Sequence, residues 1–122
     1  MNNINFCAKL YTDKSFYSLK QSDCENIYNK SKKLVEAPII TDMIGDDVVL
    51  SGRGTNKGDE VFIKIKDKNI PIITKGEVHA GAVLQQILIY TCLKNGIEIN
   101  SSSPKEICKK IKEYIEKNAP KL

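Results

Sequence analysis

The stretch Thr74–Gly96 (TKGEVHAGAVLQQILIYTCLKNG) most constrains what this chain can fold into. Thr74 and Glu77 stand at the T-x-x-E spacing of a capping box, in which each side chain satisfies the other's free backbone N–H. Asn95-Gly96 supplies the residues that most readily take the left-handed conformation that ends a helix. Between these signals, Ala80, Ala82, Val83, Leu84, Ile87, Leu88, Ile89, Tyr90, Cys92 and Leu93 spread around most of a helical circumference. The pattern predicts a helix over residues 74–96 that is buried on more than one side. Gln85-Gln86 interrupts the apolar run, which falls short of the ~20 residues a membrane span needs. It is a core helix.

A chain of 122 residues fits a single domain, residues 1–122, and can bury a core without a metal or a disulfide. The net charge of +4 permits an anionic partner but is far below that of a dedicated nucleic-acid binder. Eighteen lysines stand against one arginine, Arg53, which makes that planar, two-pronged cation a residue to watch. Cys7, Cys24, Cys92 and Cys108 are far apart, without the paired spacing of a zinc site. Cys92 and Cys108 fall on apolar helix faces and read as small hydrophobes. The start MNNINFCAKLYTDK has no secretory pattern, so a cytoplasmic protein with reduced thiols is expected.

Asn3–Tyr11 alternates as a half-buried strand does, and Phe16–Lys20 reads as its short antiparallel return. Ser22 and Glu25 form a second capping box ahead of a helix over 23–35, which Ala37-Pro38 ends. Ile39–Met43 reads as extended, Ile44–Asp47 as a turn, and Val48–Ser51 and Glu60–Lys66 as strands. Ile70–Ile73 follows as an edge strand, because Pro71 cannot donate to a ladder. Ser103 and Pro104 open the last helix, whose buried stripe is Ile107, Ile111, Tyr114 and Ile115. The residues after it are expected to fray. The fold class is therefore α+β: an antiparallel sheet with an N-terminal helix and two C-terminal helices packed on it. The long helix has more apolar faces than a small sheet covers; the last helix can cover one and a second subunit another, which favours a homo-oligomer over the alternative of a monomer.

Gly52–Asp59 (GRGTNKGD) is the glycine-rich connection between two expected strands. Its backbone amides, with Arg53, Gly54, Thr55, Asn56 and Lys57, suit a phosphate or pyrophosphate. The spacing matches neither a P-loop nor a dinucleotide fingerprint, and the alternative is a solvated hairpin loop. His79, the sole histidine, falls in the first turn of the long helix as a hydrogen-bond partner for a ligand, the alternative being a structural histidine bonded to a nearby carbonyl. Asp42, Asp46 and Asp47 lack the spacing of a calcium loop and read as a turn. The mixed lysines and glutamates of the last helix describe an exposed face, so nucleic acid is not an expected partner. No catalytic residue, metal site or cofactor is assigned.

Two functions follow. The first is a non-enzymatic binder that sequesters a small anionic, nucleotide-like ligand, with Phe62, Phe16 or Tyr17 stacking on its base. The second is a protein–protein module, an inhibitor or immunity protein, using the Ile70–Ile73 edge or the last helix. A short chain with strands first and two helices last resembles the phage anti-defence sponge proteins that sequester cyclic ADP-ribose isomers made by Thoeris immunity. The resemblance covers the order of elements, and no residue is transferred from it. It implies a homo-oligomer that holds an immune nucleotide signal without cleaving it.

Overall fold

Four strands and five helices make one α+β arrangement in the computed structural model, which describes residues 8–74, 76–100 and 103–118. Strand β1 (Leu10–Thr12) leads into a single helical turn, α1 (Lys14–Tyr17), then α2 (Cys24–Val35) and α3 (Pro38–Ile44). Strands β2 (Val48–Thr55), β3 (Gly58–Ile65) and β4 (Lys68–Ile73) follow as two consecutive hairpins. Helices α4 (Ala80–Lys94) and α5 (Pro104–Asn118) close the chain.

The sheet has the order β1-β2-β3-β4 and is mixed, not antiparallel as expected. β1 runs parallel to β2, with Leu10 opposite Val48 and Thr12 opposite Leu50. The reason is topological. A parallel neighbour needs a crossover connection, and α1, α2 and α3 together supply it. The expected return strand at Phe16–Lys20 is instead α1, where the Asp13 carboxylate accepts from the Ser15 N–H and stops the chain from continuing extended. Of the expected strand at Asn3–Tyr11, residues 3–7 lie outside the described residues, and β1 begins at Leu10.

Ile39–Met43, expected to be extended, lies in α3. Pro38 ends one helix and opens the next: it stands at the first position of α3, where its missing N–H costs nothing. Gly45, at φ 73°, closes α3 in the left-handed region. The expected cap at Ser22 is also displaced, because Asp23 is the N-cap of α2 and accepts from the Asn26 N–H at 3.1 Å. At the other end of the chain Pro104 starts α5, and Ile107 donates to the Ser103 carbonyl as expected of an N-cap there.

Helix α4 is shorter at its start than the capping box predicts. The Thr74 hydroxyl donates to the Gly76 carbonyl at 2.9 Å, and the N-cap is His79. Its end is as read, with Asn95 as C-cap and Gly96 at φ 71°. Ala80, Val83, Ile87, Thr91 and Cys92 are buried, while Leu84, Leu88, Ile89 and Tyr90 are half-buried on other sides. Helices α2, α3 and α5 and strands β3 and β4 all pack against α4. The carbonyls at the end of α3 are satisfied from α4: Asn95 Nδ2 donates to Met43 at 2.9 Å, and Lys94 Nζ to Ile44. No helix among the described residues is long and apolar enough to cross a membrane.

One face of the sheet carries Leu10, Val48, Leu50, Val61, Ile63, Ile65 and Ile72, all buried in the core with Phe16, Ile27, Ile87 and Ile107. The opposite face alternates Tyr11, Val49, Ser51, Arg53, Glu60, Phe62, Lys64 and Pro71. There Tyr11 is 49% exposed, and Val49 and Phe62 are half-buried. Pro71 sits on the edge strand, opposite Phe62, as its missing donor requires.

Candidate functional site

The glycine-rich segment is not a loop. Gly52–Thr55 completes β2, Gly58-Asp59 opens β3, and the turn between them is Asn56-Lys57. Thr55 pairs with Gly58 in the ladder, and its hydroxyl donates to the Gly58 carbonyl at 2.7 Å. The glycines have distinct causes. A Cβ on Gly52 would lie 2.8 Å from Leu19 Cδ1, so the residue gives room to a packed side chain. Gly58 has φ +139°, and its Cβ would meet the Thr74 carbonyl oxygen at 2.7 Å. Gly54 has open space in front of it.

Arg53 is engaged within the sheet. It faces Glu60 across the ladder, with Nε 2.8 Å and Nη2 2.6 Å from the same carboxylate oxygen. The Arg53 side chain is 66% exposed and that of Glu60 only 10%, so the guanidinium neutralises a nearly buried charge. Asn56 and Lys57 are exposed at the turn. His79 is exposed at the start of α4, with Nδ1 4.0 Å from Glu77 Oε1.

Beside the hairpin lies a polar notch of about 210 Å³, lined by Ser18, Lys20, Gln21, Gly54, Thr55 and Asp59. Of the six residues expected at the site, Gly54 and Thr55 line this notch. Arg53, Asn56, Lys57 and His79 do not. Asp59 is buried, and Ser22 Oγ donates to its Oδ2 at 2.6 Å. Ser22 also accepts from the buried Val78 N–H at 2.9 Å, so one hydroxyl ties the α1–α2 connection to the hairpin and to the segment before α4. That double role is why Ser22 does not cap α2.

Stacking candidates divide in the same way. Phe16 is fully buried and unavailable to a ligand. Tyr17 is exposed and packs edge-on against Phe16, with centroids 5.2 Å apart. Phe62 lies on the outer sheet face, away from the core strands' buried side chains.

Burial, reinforced by Asp59 and Asp23, pushes the Cys24 thiol up, and burial does the same to Cys92. Cys108, expected to be an inward-facing hydrophobe, is exposed. Among the described residues no group of three or more His, Cys, Asp or Glu side chains could hold a metal ion. Asp46 accepts ion pairs from Lys94 at 3.1 Å and Lys66 at 3.6 Å, which accounts for that acid within the Asp-rich turn.

A different surface stands out on the helical side. Leu34 of α2, Ile40 of α3, Leu88 of α4, and Cys108, Ile111, Lys112 and Ile115 of α5 line a groove of about 290 Å³. Every one of these side chains except Lys112 is apolar. α4 contributes Leu88, and α2, α3 and α5 all pack against α4. The signal for this groove was present in the chain: a helix apolar nearly all round has faces that the sheet alone does not cover. Ile40 was hidden by the extended reading of its segment.

Compared with protein-family models, with curated proteins and with solved structures, the chain finds no match.

Proposed function

We propose that this chain is a non-enzymatic protein-binding module whose recognition surface is the groove between α2, α3 and α5. The observation that carries the reading is the groove's lining, six apolar side chains and one lysine at an accessible surface. Ile40 and Ile111 form its buried base, Leu34, Leu88 and Ile115 are half-buried and Cys108 is exposed, so a partner's apolar side chains would complete a contact that water now makes at a cost in free energy. The pairing of Arg53 with Glu60 supports the same choice, because the best phosphate-gripping side chain in the sequence is already engaged. The test is a photo-crosslinker attached through Cys108. A protein partner crosslinks there in the native cell extract, and Ile115→Glu removes the product while leaving the melting curve in place. A crosslinker that yields no product above the background of an exposed control site defeats the reading.

A second reading is favoured by the notch. Lys20 and Gln21 line it beside the open space at Gly54 and offer donors to a small anion, while the Asp59 carboxylate in the same lining is occupied by Ser22. In this reading the chain sequesters a nucleotide-like signal in the cytoplasm as a phage anti-defence protein. A second copy would then pack on the outer sheet face around Tyr11 and Phe62. ADP-ribose isomers or cyclic oligonucleotides would raise the melting temperature by linkage, and Lys20→Ala would remove the shift. No shift with any of them discards this second reading.

A further inference from the structure

We propose that the occupant of the helical groove is an amphipathic α-helix of a partner protein, apolar along one stripe and acidic on its flanks. This deepens the protein-binding reading and rests on it.

The backbone around the groove sets the kind of element that fits. Leu34, Ile40, Leu88 and the α5 residues all project from helices, whose interior N–H and C=O groups are bonded within the helix. The groove therefore offers no ladder to an extended strand, which would bury its own peptide groups against hydrocarbon. A helix arrives with those groups already satisfied. Cys108, Ile111, Lys112 and Ile115 follow the i, i+3, i+4, i+7 spacing of a helix ridge, the relief into which another helix packs.

The rims set the charge. On α5, Lys105, Lys109 and Lys112 recur at i, i+4 and i+7, all exposed, with Glu116 continuing the stripe one turn on. On α2, Lys30 lies one turn before Leu34 and Lys33 adjoins it, both exposed. With five lysines against Glu116, the rims are positive on balance and complement a helix whose apolar stripe is bordered by Glu or Asp. The same rims argue against a second copy of this chain. Docking α5 into its own groove would set Lys105, Lys109 and Lys112 of one copy against the lysines of the other, with Glu116 the one acid on that stripe to offset them.

The probes are two fluorescent helical peptides of ~18 residues with the same leucine stripe, one flanked by glutamates and one by lysines. Anisotropy titrations on the full chain should give a Kd about tenfold or more lower for the glutamate peptide at low salt. The gap should close as salt approaches ~0.5 M, where exposed charges are screened. Saturating glutamate peptide should slow alkylation of Cys108, read by peptide mass, without changing that of Cys92. The double variant Lys33→Glu/Lys112→Glu, at two exposed positions, should reverse the preference with an unchanged melting curve. Equal binding of both peptides with Cys108 protected would keep the groove as a protein site and overturn the acidic partner. Protection by dodecanoate and by neither peptide would make the groove a lipid site and overturn both. Protection that grows with the chain's own concentration would identify a second copy as the occupant and overturn the inference.

Discussion

Arg53 and Glu60 face each other across the β2–β3 ladder, and both Nε and Nη2 of the arginine contact the same glutamate oxygen, at 2.8 and 2.6 Å. The cation is largely in water while the anion is nearly buried. The arginine therefore serves the sheet by making Glu60 tolerable where it stands. Its removal exposes the asymmetry of such a pair: the exposed partner is cheap to lose, the buried one costly to leave behind.

Arg53→Ala should destabilise the fold by about 1–2 kcal/mol, since Glu60 loses its charged partner but retains some access to water. Urea unfolding measures this. Adding Glu60→Gln to Arg53→Ala should recover part of the loss, because the stranded charge is then gone. A double variant as unstable as the single one would mean the ion pair is not the cause.

The two glycines that frame the hairpin turn should respond in opposite ways. Gly58→Ala meets both a φ of +139° and a carbonyl oxygen 2.7 Å from the new Cβ, and should cost about 2–3 kcal/mol. Gly54→Ala enters open space and should stay within about 0.5 kcal/mol of the parent. Thermal and urea melts of the pair, side by side, test whether close packing rather than chain flexibility explains Gly58.

Ser22→Ala should cost about 2–3 kcal/mol, more than a helix cap alone. The change strips a donor from the buried Asp59 carboxylate and an acceptor from the buried Val78 N–H in one step. Asp59→Asn in the same background should soften the loss, because a neutral amide is less costly to leave short of a donor. The readout is again the urea midpoint at constant slope.

Ser31 offers a prediction of the other sign. Its hydroxyl is buried in α2 without a hydrogen-bond partner. Ser31→Ala removes a desolvated polar group and raises helix propensity, so it should stabilise the chain by about 1 kcal/mol. A lower melting temperature for this variant would point to a bond that the static arrangement lacks.

Acid should destabilise the fold through two carboxylates. The hydrogen bond from the Leu10 N–H, helped by the Lys32 ammonium against the effect of burial, holds Glu36 below the usual carboxylate range. Burial would raise Asp13, but bonds from Ser15, Ser51 and the backbone prevail and hold it low as well. With folded-state values depressed, the unfolded chain takes up protons first as the pH drops. The stabilisation is thus complete above the unfolded carboxylate values and is lost as the pH falls below about 4 and through the lower folded values. Urea midpoints from about pH 6 to about pH 2.5 should trace this decline, and Glu36→Gln should flatten it.

Local signals were legible wherever the responsible residues are neighbours in the chain. Gly96 stops α4 through its left-handed backbone, Pro104 starts α5 because its missing N–H costs nothing there, and Pro71 is confined to an edge by the donor it lacks. The stripe Ile107, Ile111, Tyr114 and Ile115 followed from period alone. Where one residue fits two local roles, the reading turned on more distant partners. Pro38 both stops α2 and starts α3. Ser22 could cap a helix, but its hydroxyl finds Asp59 and Val78 instead.

From its sequence alone this chain is α+β, with a long helix apolar on several sides, a proline-marked edge strand and a lysine-rich closing helix, because those properties arise from a few adjacent residues. Tertiary structure decided that β1 runs parallel to β2, that Arg53 is held by Glu60, and that Leu34, Ile40, Leu88 and Ile111 meet in one groove. Each of these joins side chains from separate elements. Which elements become neighbours is set by the burial of the whole core, and no short window of sequence contains that choice.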